Sequence, residues 1–123
     1  MPDRCEVCRI TDANIGSIVK QNQAIFIACI RKDEHYQENM VMLRYIAEYY
    51  QKHLLVYFAL EDMFAYFRDA YAVIGTPTYL VLDHGGIRGI ILGNKPYDAL
   101  IKLVGSILQG QGHQELSAAK GRD

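Results

Sequence analysis

Two uninterrupted apolar runs organise the chain, Ala24-Ile-Phe-Ile-Ala-Cys-Ile30 and Leu54-Leu-Val-Tyr-Phe-Ala-Leu60, seven residues each. Neither alternates with polar residues, which is the pattern of strands covered on both faces, as in a parallel sheet. Between them Tyr36, Met40, Leu43, Ala47 and Tyr50 recur at spacings of four, three, four and three, while Glu38, Arg44, Glu48 and Lys52 fall on other faces. That spacing predicts an amphipathic helix from Asp33 to about Lys52, with Asp33 as N-cap, Glu34 in the first turn and His53 at the end.

A second helical stripe follows at Met63, Phe67, Ala70 and Ile74, with Gly75 and then Pro77 as its stop signal. The period then changes. Thr78 to Leu82 and Ile87 to Leu92 read as antiparallel strands around Asp83-His-Gly-Gly86, whose glycines permit the positive φ of a tight hairpin. Pro96 suits the first turn of a last helix that buries Leu100, Leu103, Val104, Ile107 and Leu108 and ends near Gln109. Upstream, Glu6 to Ile10 can form a strand, and Asp12 can cap a short helix carrying Ile15, Ile18 and Val19. Gly110 to Asp123 holds one large aliphatic, Leu116, and reads as a polar, flexible tail. The predicted order is β-α-β-α-β-α-β-β-α: one α/β layered domain with a mixed sheet over residues 1–109, and a tail over 110–123.

Length and composition narrow the function classes. At 123 residues the chain has room for one core, and 50% hydrophobic with 22% charged residues is ordinary globular composition. A formal net charge of −1 gives no bulk attraction to nucleic acid or to an anionic membrane. The apolar runs fall well short of the roughly twenty residues a membrane-spanning helix requires. Met1-Pro-Asp-Arg-Cys-Glu-Val-Cys8 lacks a basic segment leading into an apolar one, so no secretory signal is expected and a cytoplasmic location is. Three cysteines, an odd number too small for a disulfide scaffold, agree with a reducing compartment.

The segment Ile74-Gly-Thr-Pro-Thr-Tyr-Leu-Val-Leu-Asp-His-Gly-Gly86, with the following strand closing at Gly93, resembles the thioredoxin family: a Pro after a short helix-to-strand link, an apolar strand, a Gly-bearing hairpin, another strand and a last helix. The resemblance extends in element order and spacing from Glu6 to Gln109. It implies a three-layer α/β/α sandwich with a mixed central sheet and a cis peptide at Thr76-Pro77. It also implies a groove in which Thr76 offers its backbone to an extended peptide, a short β-augmentation, with Gly93 on its border.

One departure from that family bears directly on activity. Its redox members carry Cys-x-x-Cys at the N-terminus of the helix after the second strand, where the helix dipole stabilises a thiolate. Here that place reads Glu34-His-Tyr-Gln37, and the chain contains no Trp to precede a motif. A thiol centre in the usual place is therefore excluded. Cys5 and Cys8 offer an alternative. Positions three apart in a strand lie about 10 Å apart, beyond the Cα separation of about 4.4–6.8 Å that a disulfide spans, whereas a turn at Glu6-Val7 brings them within reach. As zinc ligands they lack a second pair. Cys29, inside an apolar run, reads as a small buried hydrophobe.

Glu34 and His35 at a helix start favour a carboxylate and a neutral imidazole, so His35 can act as a base or Tyr36 as a hydrogen-bond donor. The plainer reading is capping and surface recognition, since no nucleophile or metal-ligand spacing accompanies them. His53, His84 and His113 carry no ligand pattern. Asp83-His-Gly-Gly86 lacks the Lys-Ser/Thr of a phosphate loop and leads into a strand. Of the nine Tyr, several fall on helix stripes at Tyr36, Tyr49, Tyr50, Tyr66 and Tyr71, either packed with a surface hydroxyl or forming an exposed patch. Together the resemblance and its missing motif imply a non-catalytic thioredoxin-like domain that takes a protein or peptide partner at Thr76, Pro77 and Gly93, with Glu34, His35 and Tyr36 beside them. No metal, cofactor, nucleic acid or membrane is implied. An assembly-chaperone role is one form of this, as in families where a motif-less thioredoxin-like chain escorts a metalloenzyme precursor. The alternative is a divergent thiol-disulfide oxidoreductase using Cys5 and Cys8.

Overall fold

The computed structural model describes residues 7–111. Along the chain run β1 (Val7–Arg9), α1 (Ile15–Val19), β2 (Ala24–Cys29), α2 (Tyr36–Tyr49) and β3 (Leu55–Ala59). A 3₁₀ turn at Glu61–Met63 leads into α3 (Phe64–Tyr71), followed by β4 (Thr78–Asp83), β5 (Gly86–Leu92) and α4 (Tyr97–Ser106), which a wider turn at Ile107–Gln111 continues. The five strands form one mixed sheet in the order β1-β3-β2-β4-β5. β2 pairs parallel with β3 and antiparallel with β4, while β1 joins β3 in parallel and β5 joins β4 antiparallel.

The apolar runs form strands because both of their faces are covered. Phe26, Ala28 and Ile30 join Val56, Phe58, Tyr79 and Val81 under Met40, Leu43 and Ile46 of α2 and Leu100 and Val104 of α4. Ile25, Ile27 and Cys29 point the other way and join Leu80 and Leu82 under Ile15 and Ile18 of α1 and Phe67 of α3. Each fully buried Ile or Phe contributes about 1.5–3 kcal/mol relative to exposure. The result is an α/β sandwich with a mixed sheet and helices on both faces. Among the described residues no helix is long and apolar enough to cross a membrane.

Several predicted boundaries move, each for a local reason. α2 begins at Tyr36 rather than Asp33, because Asp33 Oδ1 accepts the His35 N–H at 2.9 Å and Asp33 O accepts the Tyr36 N–H at 3.0 Å. That Asx-type turn stands before the helix and leaves Glu34 outside its first turn. The same helix stops at Tyr49 instead of Lys52, so His53 follows it in the turn. Asp12 does not cap α1; Asn14 occupies the cap position and turns its side chain back, accepting from Thr11 N at 2.8 Å and donating to Arg9 O at 3.0 Å. Pro96 sits at the N-cap of α4, one residue ahead of its expected place. Of the strand expected over Glu6 to Ile10, Val7–Arg9 forms; Glu6 and the tail from residue 112 onward lie outside the described residues.

A further shift concerns α3. It ends at Ala72, three residues before the Gly75 stop, with Ala72 left-handed at φ 61° and its N–H on Arg68 O, and with Val73 N–H on Phe67 O. This double closure is a Schellman-type cap built on alanine. It turns Val73 inward and Ile74 outward, so Ile74 leaves the predicted buried stripe; Ala70, within the helix, is exposed as well.

The β4–β5 hairpin closes through His84 and Gly85, with φ of 55° and 85°. Positive φ at both central residues is the type I′ condition that matches strand twist. Gly86 is already in β5. Past the turn the register steps from Leu82↔Ile87 to Val81↔Gly89, leaving Arg88 as the extra residue of a bulge. Its guanidinium reaches Asp83 Oδ2 at 2.9 Å and Ile107 O at 3.3 Å, tying the end of α4 to the hairpin. Beside it Gly89 allows close approach: a Cβ there would lie 2.5 Å from Ile107 Cδ1 and 2.9 Å from Cγ1. Gly89→Ala is expected to lower stability by about 1–3 kcal/mol through overpacking. In an Ile107→Val background the same change costs less, a difference that urea denaturation of the four-protein cycle reads directly.

Candidate functional site

One edge of the sheet gathers most of the residues singled out by sequence. Cys29 at the end of β2 is in register with Ala59 at the end of β3 and with Thr78 at the start of β4, and Thr78 is in register with Leu92 at the end of β5. The segments that leave or enter at this edge, Arg31 to His35, Thr76-Pro77 and Gly93-Asn94, therefore come together. The Thr76–Pro77 peptide is cis. Thr78 Oγ1 donates to Gly75 O at 2.7 Å, and Gly93 N donates to Pro77 O at 2.9 Å, fixing the segment from both sides. Gly93 has φ 83°, a left-handed conformation that favours glycine.

Between these segments lies a cavity of about 130 Å³ lined by Ile30, Arg31, Asp33, His35, Asn39, Thr76, Pro77 and Asn94. Thr76 is half-buried at its wall. Neither its N–H nor its C=O has a hydrogen-bond partner among the described residues. A main-chain donor and acceptor left open beside a groove are what an added strand needs. On the other side of Thr76 a second cavity, about 160 Å³, is lined by Arg31, Phe64, Arg68, Val73, Ile74, Gly75 and Thr76.

The predicted site residues divide into three groups. Thr76, Pro77 and His35 line the groove, and Gly93 holds Pro77 from behind. Glu34 is exposed next to His35, with Glu34 Oε2 3.8 Å from His35 Nε2 and Glu38 Oε1 3.7 Å from Nδ1. Tyr36 turns away, its ring edge-on to Phe58 at 6.3 Å with Lys32 Nζ 5.6 Å above it. Asn39, one helical turn after His35, and Asn94, next to Gly93, are groove residues that the sequence reading passed over. The first was visible as an i, i+4 partner of His35; Asn94 carried no signal beyond adjacency.

The cysteines lie elsewhere. Cys8 is half-buried in β1, on the far side of β3 from β2, in register with Tyr57. It precedes the first residue of α1 by seven positions, so it is not at a helix N-terminus. Cys5 lies outside the described residues. Cys29 is fully buried in β2, and burial pushes its thiol up to about 12. Among the described residues no three His, Cys, Asp or Glu side chains form a cluster able to hold a metal ion.

The opposite edge of the sheet carries a larger cleft, about 520 Å³, whose lining includes Tyr49, Tyr50, His53, Asp83 and Arg88. Its charged groups are already engaged with one another, since Asp83 accepts from Arg88, and Tyr50 donates its hydroxyl to Ile101 O at 2.8 Å. The groove at Thr76 instead keeps main-chain and side-chain groups open. No protein-family model matches the chain, and no curated protein matches it.

The buried acids make a pH prediction. Cys29 and Tyr79 titrate at about 12 in the folded chain, against ordinary values of 9.0 and 10.0, with burial as the cause. Below the ordinary values both states keep these protons; above them the unfolded chain loses its protons first. Stability is thus expected to fall progressively from pH 9 towards 12. The urea midpoint measured across that range should decline, with a shallower decline in Cys29→Ala. At pH 8 iodoacetamide should leave Cys29 unmodified in the folded protein and label it in urea, as peptide mass spectrometry will show.

Proposed function

We propose that this chain is a thioredoxin-like domain without a thiol centre at the usual helix start, and that it binds an extended segment of a partner protein in the groove beside Thr76 and Pro77. The observation that carries this reading is the open main chain of Thr76, half-buried at the wall of a groove, with no hydrogen-bond partner among the described residues. The element order and the link from α3 into β4 support the family resemblance. The polar lining, Asn39 and Asn94 together with Arg31, Asp33 and His35, suits recognition of peptide amides and side chains more than chemistry. Holding one segment of a partner during its assembly is a natural use of such a groove. For the alternative oxidoreductase reading, Cys8 stands in an extended strand away from any helix N-terminus, which gives its thiolate no dipole stabilisation, and Cys5 lies outside the described residues.

Titration of the ¹⁵N-labelled protein with a pool of capped random octapeptides tests this directly. The amides of Arg31, Thr76 and Gly93 should shift together, and Thr76→Trp combined with His35→Trp should weaken binding about tenfold or more, equivalent to about 1.4 kcal/mol. Shifts confined to the opposite edge, near His53 and Arg88, or no shifts at all, would rule the groove out.

A further inference from the structure

The groove is charged unequally along its length. On the α3 side of Thr76 the cavity is lined by two guanidinium groups, Arg31 and Arg68, and by no carboxylate. On the α2 side Arg31, which borders both cavities, is joined by Asp33 at the wall, and Glu34 and Glu38 are exposed around His35, so carboxylates outnumber guanidiniums there. The two arginines differ from those the fold uses for its own stability. Arg9 is met by Asp62 at 3.2 Å and Arg88 by Asp83 at 2.9 Å. Arg31 instead stacks over the Phe64 ring at 5.4 Å and has no hydrogen-bond partner for its guanidinium among the described residues. Arg68 meets only its neighbour Asp69, through Nε at 3.4 Å, so its terminal nitrogens remain open among the described residues.

An apolar side chain completes this end. Ile74 is 89% exposed, the most exposed large hydrophobic of the described residues, because the left-handed turn at Ala72 sends Val73 inward and Ile74 out. With Phe64 it gives the arginine-lined cavity an uncovered apolar surface. Open guanidiniums bind carboxylates through charge-assisted, often bidentate, hydrogen bonds. Asp33, Glu34 and Glu38 at the other end repel a second carboxylate and attract a cation.

We infer that the occupant of the groove is an extended dipolar segment of a partner protein: an acidic residue beside a large apolar side chain over Arg31, Arg68, Phe64 and Ile74, and a Lys or Arg toward Asp33 and Glu34. The inference rests on the groove reading above and adds the chemistry of the ligand to it. The Thr76 main chain supplies affinity common to all sequences, and the two charged ends supply selection and direction.

Three capped hexapeptides separate the possibilities: Glu-Leu followed after three Ser by Lys, the same charges in reverse order with Leu kept beside Glu, and a neutral isostere with Gln at both charged positions. Each is titrated into the ¹⁵N-labelled protein. One dipolar order should bind about tenfold more tightly than the neutral peptide, weaken with added salt, and lose that advantage in an Arg31→Gln/Arg68→Gln variant, whose exposed substitutions leave the circular dichroism spectrum unchanged. If the neutral peptide binds as well as both dipolar ones while the Thr76 amide shifts, the charge assignment is overturned and the groove stands. An advantage that survives in the variant overturns the assignment to these arginines. If no peptide shifts Thr76, the groove reading itself fails and takes this inference with it.

Discussion

Strand β2 is paired along both edges and covered on both faces, and the rest of the molecule is arranged around that constraint. Its alternation sends Ile25, Ile27 and Cys29 into one core and Phe26, Ala28 and Ile30 into the other. A slip of one residue would exchange the two sets, placing Cys29 and Ala28 where bulky residues must go and the reverse. The parallel pairing to β3 and the antiparallel pairing to β4 therefore share one permitted register. That register also builds the groove. It aligns the exit of β2 with the entrance of β4, so the Arg31 to His35 segment and the Thr76-Pro77 segment meet without either having to reach across the sheet.

Much of this was legible from residue patterns. Continuous apolar runs distinguish strands covered on both faces from those alternating with solvent, and Met40, Leu43 and Ala47 reported the buried side of α2 directly. Boundaries were less legible because the decisive bonds belong to side chains and turns with more than one possible use. Asp33 is a good N-cap residue, yet it makes an Asx-type turn two residues ahead of the cap position at His35. Gly75 and Pro77 are good stop signals, yet the helix has already ended on a left-handed alanine, which sequence does not advertise. Ile74 shows the consequence: at the right spacing for a core position, it is turned out to solvent by a cap formed two residues earlier.

The site divides along the same line. Thr76, Pro77 and Gly93 could be marked because a resemblance in spacing pointed at them, and His35 because it stands where a helix begins. Tyr36 stood both on the apolar stripe of α2 and beside the groove residues, and the phase of the helix, which sets its ring against Phe58, decides for the stripe. Arg68 and Ile74 are distant from Arg31 in sequence, and only the turn between α3 and β4 brings all three to one cavity. Nothing local marks either as part of a site.

The two ends of the sheet use their polar groups differently. At the hairpin end Arg88 is closed by Asp83 and by the carbonyl of Ile107, Gly89 admits Ile107, and the polar groups are used to fasten α4. At the groove end the corresponding groups are left open. The start of α2 is the telling place. A helix N-terminus offers a positive dipole end that can stabilise a thiolate, but here Asp33, Glu34 and Glu38 supply the negative charge instead. A carboxylate cannot take part in thiol–disulfide exchange; at that place it supplies charge and hydrogen-bond acceptors. Cys29 is fully buried in β2 with its thiol pushed up to about 12, and the groove lining presents main chain, amide and charged groups rather than a thiol.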